Sequence, residues 1–145
     1  MRREVGMPPP DGVPTSSVQS EGLREALTHR WILSEKAGRD LGEECIRRWV
    51  HDHWNGFLRA RWMEHLQGKT YWMELDRTDF GLLAGEFQED EQLLDRILER
   101  MKEGKENLDV IQWALDWGIP VERVVHILER LNVNSSRLSC QFYQQ

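Results

Sequence analysis

The sequence predicts an all-α fold: a small bundle of about five helices following a disordered N-terminal leader. Three observations carry that prediction. Apolar residues recur at i, i+3 and i+4 through most of the chain after residue 20. No stretch sustains the two-residue alternation of a half-buried strand. Finally, Gly, Pro, Asn or Asp stands where each helical run begins or stops.

Residues 1–20 hold four prolines, two glycines and three serines with few apolar side chains, a composition that cannot pack and reads as the leader. The helical domain then spans residues 21–145, as a hairpin over 21–68, a connector over 69–87 and a helical C-terminal part over 88–145. In the first helix Leu23, Ala26, Leu27, Arg30, Trp31 and Ser34 keep helical spacing until Gly38. Asp40, followed by Glu43, reads as the capping box of a second helix over residues 41–67. Ile46, Trp49, Val50, His53, Phe57 and Ala60 form its apolar face, with His53 expected as a hydrogen-bonded core histidine. Beyond Gly56, Leu58, Trp62 and Leu66 project from nearly the opposite side, so the helix must bend, break near Asn55 and Gly56, or be covered on both sides.

The connector keeps neither period for long; an extended piece at residues 71–75 and a short helix after Thr78 are expected. Leu93, Leu94, Ile97, Leu98 and Met101 stripe a third helix over residues 89–103, its acids early and Arg100 and Lys102 late, as the macrodipole favours. Asn107 reads as the cap of a fourth helix ending at Gly118, and Pro120 opens a fifth through Leu131. Asn134, Ser135 and Ser136 read as the cap of a last short turn.

Composition narrows the function classes. A hydrophobic share of 39% beside 30% charged residues is that of a globular protein, and no apolar run approaches the roughly 18 residues of a membrane span. The two arginines of the leader have no apolar segment behind them, so no secretory signal is read and a cytoplasmic protein is expected. Cys45 and Cys140 lack CxxC spacing and read as reduced thiols. The charge is uneven. Residues 21–68 carry eight basic and eight acidic groups, whereas residues 69–131 carry eight and fifteen. The acidic second half disfavours nucleic acid and anionic membrane as partners.

Residues 110–128, VIQWALDWGIPVERVVHIL, resemble the helix-turn-helix of bacterial DNA-binding proteins, with Ala114 at the helix contact, Gly118 in the turn and Val124 buried. That resemblance implies a DNA-binding transcriptional regulator in which Val121, Glu122, Arg123, Val125 and His126 meet the bases. Major-groove readers are rich in Arg, Lys, Asn and Gln, and this helix is neutral inside the most acidic part of the chain. Charge therefore favours a helical hairpin. A second segment, HRWILSEKAGRDLG at residues 29–42, resembles a stretch of uncharacterised bacterial proteins, including some grouped under the domain of unknown function DUF4032. It implies a bacterial origin and no assigned chemistry; physically, Gly38, Asp40 and Gly42 make a sharp junction between two helices.

No motif points to catalysis. There is no G-x-S-x-G, no phosphate-cradling glycine loop and no Cys–His pair of suitable spacing. His51 and His53 lie about 200° apart on a helix, so they cannot share a metal, and no cofactor is expected. Seven tryptophans exceed what a small bundle needs for its core. Tryptophan and arginine are the residues most enriched at binding hot spots. Trp54 and Trp62, with Arg47, Arg48 and Arg59 on the basic outer face of the second helix, are the expected surface. The sequence thus predicts a non-enzymatic accessory protein that binds a protein partner or a second copy of itself.

Overall fold

Small residues decide how the first two helices meet. In the computed structural model, which describes residues 12–132 and 138–143, α1 spans Val18–Ala37 and α2 spans Glu43–Gln67. Val18, Gly22 and Ala26, one turn apart, are fully buried or nearly so, and they let α1 lie close against α2. A Cβ on Gly22 would stand 2.9 Å from the Trp54 ring. This approach turns the larger residues of α1 outward. Leu27 and Trp31, read from spacing as part of the packed run, are exposed.

The expected leader ends earlier than residue 20. Thr15–Ser16 forms a short strand, β1, parallel to β2 at Tyr71–Trp72, with Thr15 opposite Tyr71 and Ser16 opposite Trp72. Ser17 caps α1, accepting from the Ser20 N–H. Glu74 reaches across from the connector: its Oε1 accepts from the Val18 N–H at 2.7 Å and its Oε2 from the Gln19 N–H at 3.2 Å. A carboxylate over the first turn satisfies orphan amides and complements the positive end of the helix.

At the other end of α1, Gly38 adopts φ 73°, a left-handed conformation that glycine enters without a Cβ penalty. Asp40 does not cap α2 as expected. Arg30 donates to both of its oxygens, at 3.0 and 2.7 Å, and the Gly42 N–H donates to it at 2.9 Å, so α2 starts at Glu43 behind Gly42. The Leu41 N–H donates to Ser34 Oγ at 3.0 Å. Arg30, Ser34, Gly38, Asp40 and Gly42 together hold the turn. The Arg30 guanidinium, helped by the Gly42 amide, lowers the Asp40 carboxyl to about 2.

Of the three outcomes open to α2, the chain takes coverage on both sides. The helix runs unbroken through Gly56, with α1 on one side and β2, α3 (Leu82–Glu86) and α4 (Glu91–Lys102) on the other. Residues 138–143 add a further cover over Trp54: its indole N–H donates to the Leu138 carbonyl at 2.7 Å, and Phe142 packs edge-on at 5.9 Å between centroids. The connector contains a 3-10 turn at Arg77–Asp79 and the short α3, Leu82–Glu86. Beyond it lie α4 (Glu91–Lys102), α5 (Asn107–Asp116) and α6 (Val121–Leu131). Glu106 rather than Asn107 caps α5, exchanging bonds with Asp109 in a capping box, and Pro120 stands just before α6 rather than in its first turn. The expected cap at Asn134 to Ser136 lies outside the described residues. Among the described residues no helix is long and apolar enough to cross a membrane.

Candidate interaction surface

Trp54 and Trp62 are not surface residues. Both are core side chains, 5% and 8% exposed, and the Trp62 indole N–H donates to the Leu131 carbonyl at 2.9 Å. The cause lies in the geometry of α2. The face beyond Gly56 is the one that α3, α4 and the end of α6 cover, so its large rings fill the centre of the molecule. Of the arginines expected beside them, Arg47 pairs with Glu44 one turn back and Arg48 is exposed. Arg59 turns toward the α4–α5 link, 3.7 Å from Glu106. His53, expected in the core, is exposed, and its ring meets His29 at 6.1 Å.

The exposed apolar surface lies elsewhere. On α1, Trp31 is 64% exposed, with Leu27 and Ile32 beside it. Leu23, Leu27 and Trp31 line a shallow groove with Ser20, Arg24 and Thr28, and Trp31 also opens onto a second groove formed by Arg30, Ser34, Gly38 and Arg39. A tryptophan ringed by arginines on a rigid helix is thus present, but on α1. The signal available in the sequence was the Val18–Gly22–Ala26 stripe, whose small side chains mark the buried side.

The helix-turn-helix-like hairpin has the expected internal geometry: Ala114 and Val124 are fully buried and Gly118 turns with φ 69°. Its second helix is not free on the outside. Arg123 pairs with Asp90. Glu86 holds both Arg130, at 2.9 Å, and His126, at 3.4 Å, and Phe87 packs edge-on against the His126 ring. Of the residues expected to meet bases, Glu122 carries the wrong charge, Arg123 and His126 are turned to acids of their own chain, and Val121 and Val125 are half-buried.

A third groove, between α1 and α2, brings His29 and His53 together with Glu25, Asp52 and Lys102. His51 Nδ1 lies 2.9 Å from Asp52, and this contact holds the Asp52 carboxyl below its ordinary range. The groove contains no cysteine or serine. Both cysteines are buried and neither is in a disulfide, and burial pushes the Cys140 thiol up, away from the reactive thiolate. Among the described residues no group of three or more His, Cys, Asp or Glu side chains could hold a metal ion. No protein-family model, no curated protein and no solved structure matches the chain.

Proposed function

We propose that the chain is a non-enzymatic accessory protein of the cytoplasm that docks on a partner protein through the outward face of α1. The observation that supports this reading is Trp31, a large indole held 64% exposed on a helix whose other side is locked against α2. A rigid exposed tryptophan offers contact area at little entropic cost, and Arg24, Arg30 and Arg39 around it supply a polar rim. Affinity capture from lysate of the host, with nuclease and mass-spectrometric readout, tests it. The wild type retains a stoichiometric protein partner after nuclease. Trp31→Ala leaves the helical circular dichroism unchanged and weakens capture by about 30-fold, the loss of about 2 kcal/mol expected of a hot spot. Equal capture by the two proteins overturns the reading.

A DNA-binding regulator is the second reading, favoured by the packing of Ala114, Gly118 and Val124. The acidic partners of Arg123, His126 and Arg130 weigh against it. Nucleic acid in the eluate, lost on nuclease treatment, would restore it.

A further inference from the structure

We propose that the outward face of α5 is a docking strip for a basic amphipathic helix of a protein partner. The strip lies on a different element from the α1 surface and stands on separate observations. Leu108, Ile111 and Leu115 fall within about 60° of one another at 100° per residue, a single stripe along the ten-residue helix. Leu108 is 79% exposed and Leu115 57%, and Trp117, directly after the helix, is 71% exposed. Among the described residues these three stay open to solvent; the side of α5 that packs is made by Val110 and Ala114, with Ile111 and Trp113 half-buried beside them.

Charge identifies the occupant. α5 contains Asp109 and Asp116 and no basic residue, and Glu103 and Glu106 precede it. Asp109 and Asp116 lie on the same edge of the stripe, about two turns apart, and neither is in an ion pair among the described residues. Of the nearby cations, Arg100 stacks on the Trp113 ring at 4.2 Å and Arg59 is held by Glu106 and the Lys105 carbonyl; Lys102 and Lys105 offset Glu103 and Glu106 before the helix, which leaves Asp109 and Asp116 as the carboxylates of the strip. An apolar stripe with a carboxylate edge is complementary to a helix with one apolar face bordered by Lys or Arg.

The same charges exclude other occupants. Two copies of the strip would set Asp109 and Asp116 against their own like charges. The basic outer face of α2 in a second copy is no substitute, because among the described residues none of the exposed large apolar side chains is on α2. Nucleic acid and anionic lipid are repelled.

The test uses the full chain and a labelled Leu/Lys amphipathic peptide of about 18 residues, five helical turns. A peptide of the same composition, scrambled so that its leucines no longer share a face, is the control. By fluorescence anisotropy the amphipathic peptide binds at least about tenfold tighter than the scrambled one, a margin of 1.4 kcal/mol. Leu115→Glu separates docking from general attraction. It adds a carboxylate, so attraction alone would leave binding equal or tighter, whereas the strip loses its centre and binding falls at least about tenfold. Trp31→Ala leaves peptide binding unchanged, which keeps this strip distinct from the α1 surface. Equal binding of the two peptides, or undiminished binding to Leu115→Glu, overturns the proposal.

Discussion

His65 is fully buried on α2, between the rings of Tyr71 and Phe80 at 5.2 and 5.3 Å. Its Nδ1 accepts from the Trp72 N–H at 3.2 Å, which leaves the proton on Nε2, donated to the Asp76 carbonyl at 2.7 Å. The neutral ring therefore joins α2 to both ends of the segment that follows β2. Burial lowers the His65 pKa below its ordinary 6.5, against smaller opposing effects of the Asp76 carbonyl and the Asp79 and Asp76 carboxylates. The sign follows from linkage. Below about pH 6.5 the unfolded chain takes up a proton that the folded ring resists, so this histidine's stabilisation is complete above that pH and declines as pH falls toward the lower folded value. Urea unfolding at pH 7.5 and 5.5 should give a wild-type stability that drops more between the two than that of His65→Gln. His65→Ala should cost about 2–4 kcal/mol at pH 7.5, since it leaves a cavity and two backbone groups without their partner. Nothing in the sequence marked this residue; His53, one apolar turn from Trp49, carried the stronger pattern, and only the fold of the connector decides which histidine is enclosed.

The helices themselves were legible, because each carries its own period and punctuation. The α4 stripe is buried from Leu94 to Met101, with Leu93 half-buried at its edge, and the turns at Gly38 and Gly118 fall at the expected residues. What spacing could not supply was the side from which each helix is covered. α1 has a large-residue face and a small-residue face, and it buries the small one, since close approach to Trp54 outweighs the extra area of Leu27 and Trp31. α2 is apolar on two sides and needs neighbours on both. Its caps differed for a related reason: the Asp40 carboxylate is taken by Arg30, a competitor ten residues away that local patterns do not weigh. Gly56, where a break was one of the three outcomes open to α2, sits inside a continuous helix with open space where a Cβ would be. Gly56→Ala should therefore stabilise the protein by about 0.5–1 kcal/mol, read as a raised Tm, by lowering the entropy of the unfolded chain. A lowered Tm would mean that α2 does bend there.

Across the whole molecule, the core is continuous from Val18 on α1 to Leu131 on α6 and Cys140 beyond it, and all the tryptophans but the half-buried Trp113 lie either inside it or well outside. Trp49, Trp54, Trp62 and Trp72 are inside, whereas Trp31 and Trp117 are on the two proposed surfaces. The segment at residues 138–143 roofs the first pair: Phe142 meets Trp49 and Trp54, and Gln19 donates to the Ser139 carbonyl and accepts from the Gln141 N–H. Phe142→Ala should shift tryptophan emission to the red and cost about 2–4 kcal/mol in chemical unfolding, less than the full penalty of a wholly buried ring because Phe142 is only partly covered. An unchanged spectrum would mean that the segment does not seal the indoles in solution. The cap that Glu74 places over the first turn of α1 has a different consequence. It joins residues 56 positions apart, and the Gln19 to Ser139 bond joins residues 120 apart. During synthesis the α1–α2 hairpin leaves the ribosome first with Ser17 as its only cap, and the Glu74 carboxylate joins when the connector follows. Helix α6 must emerge before the roof over Trp54 can close, so the two helices made first are sealed only by residues made after it.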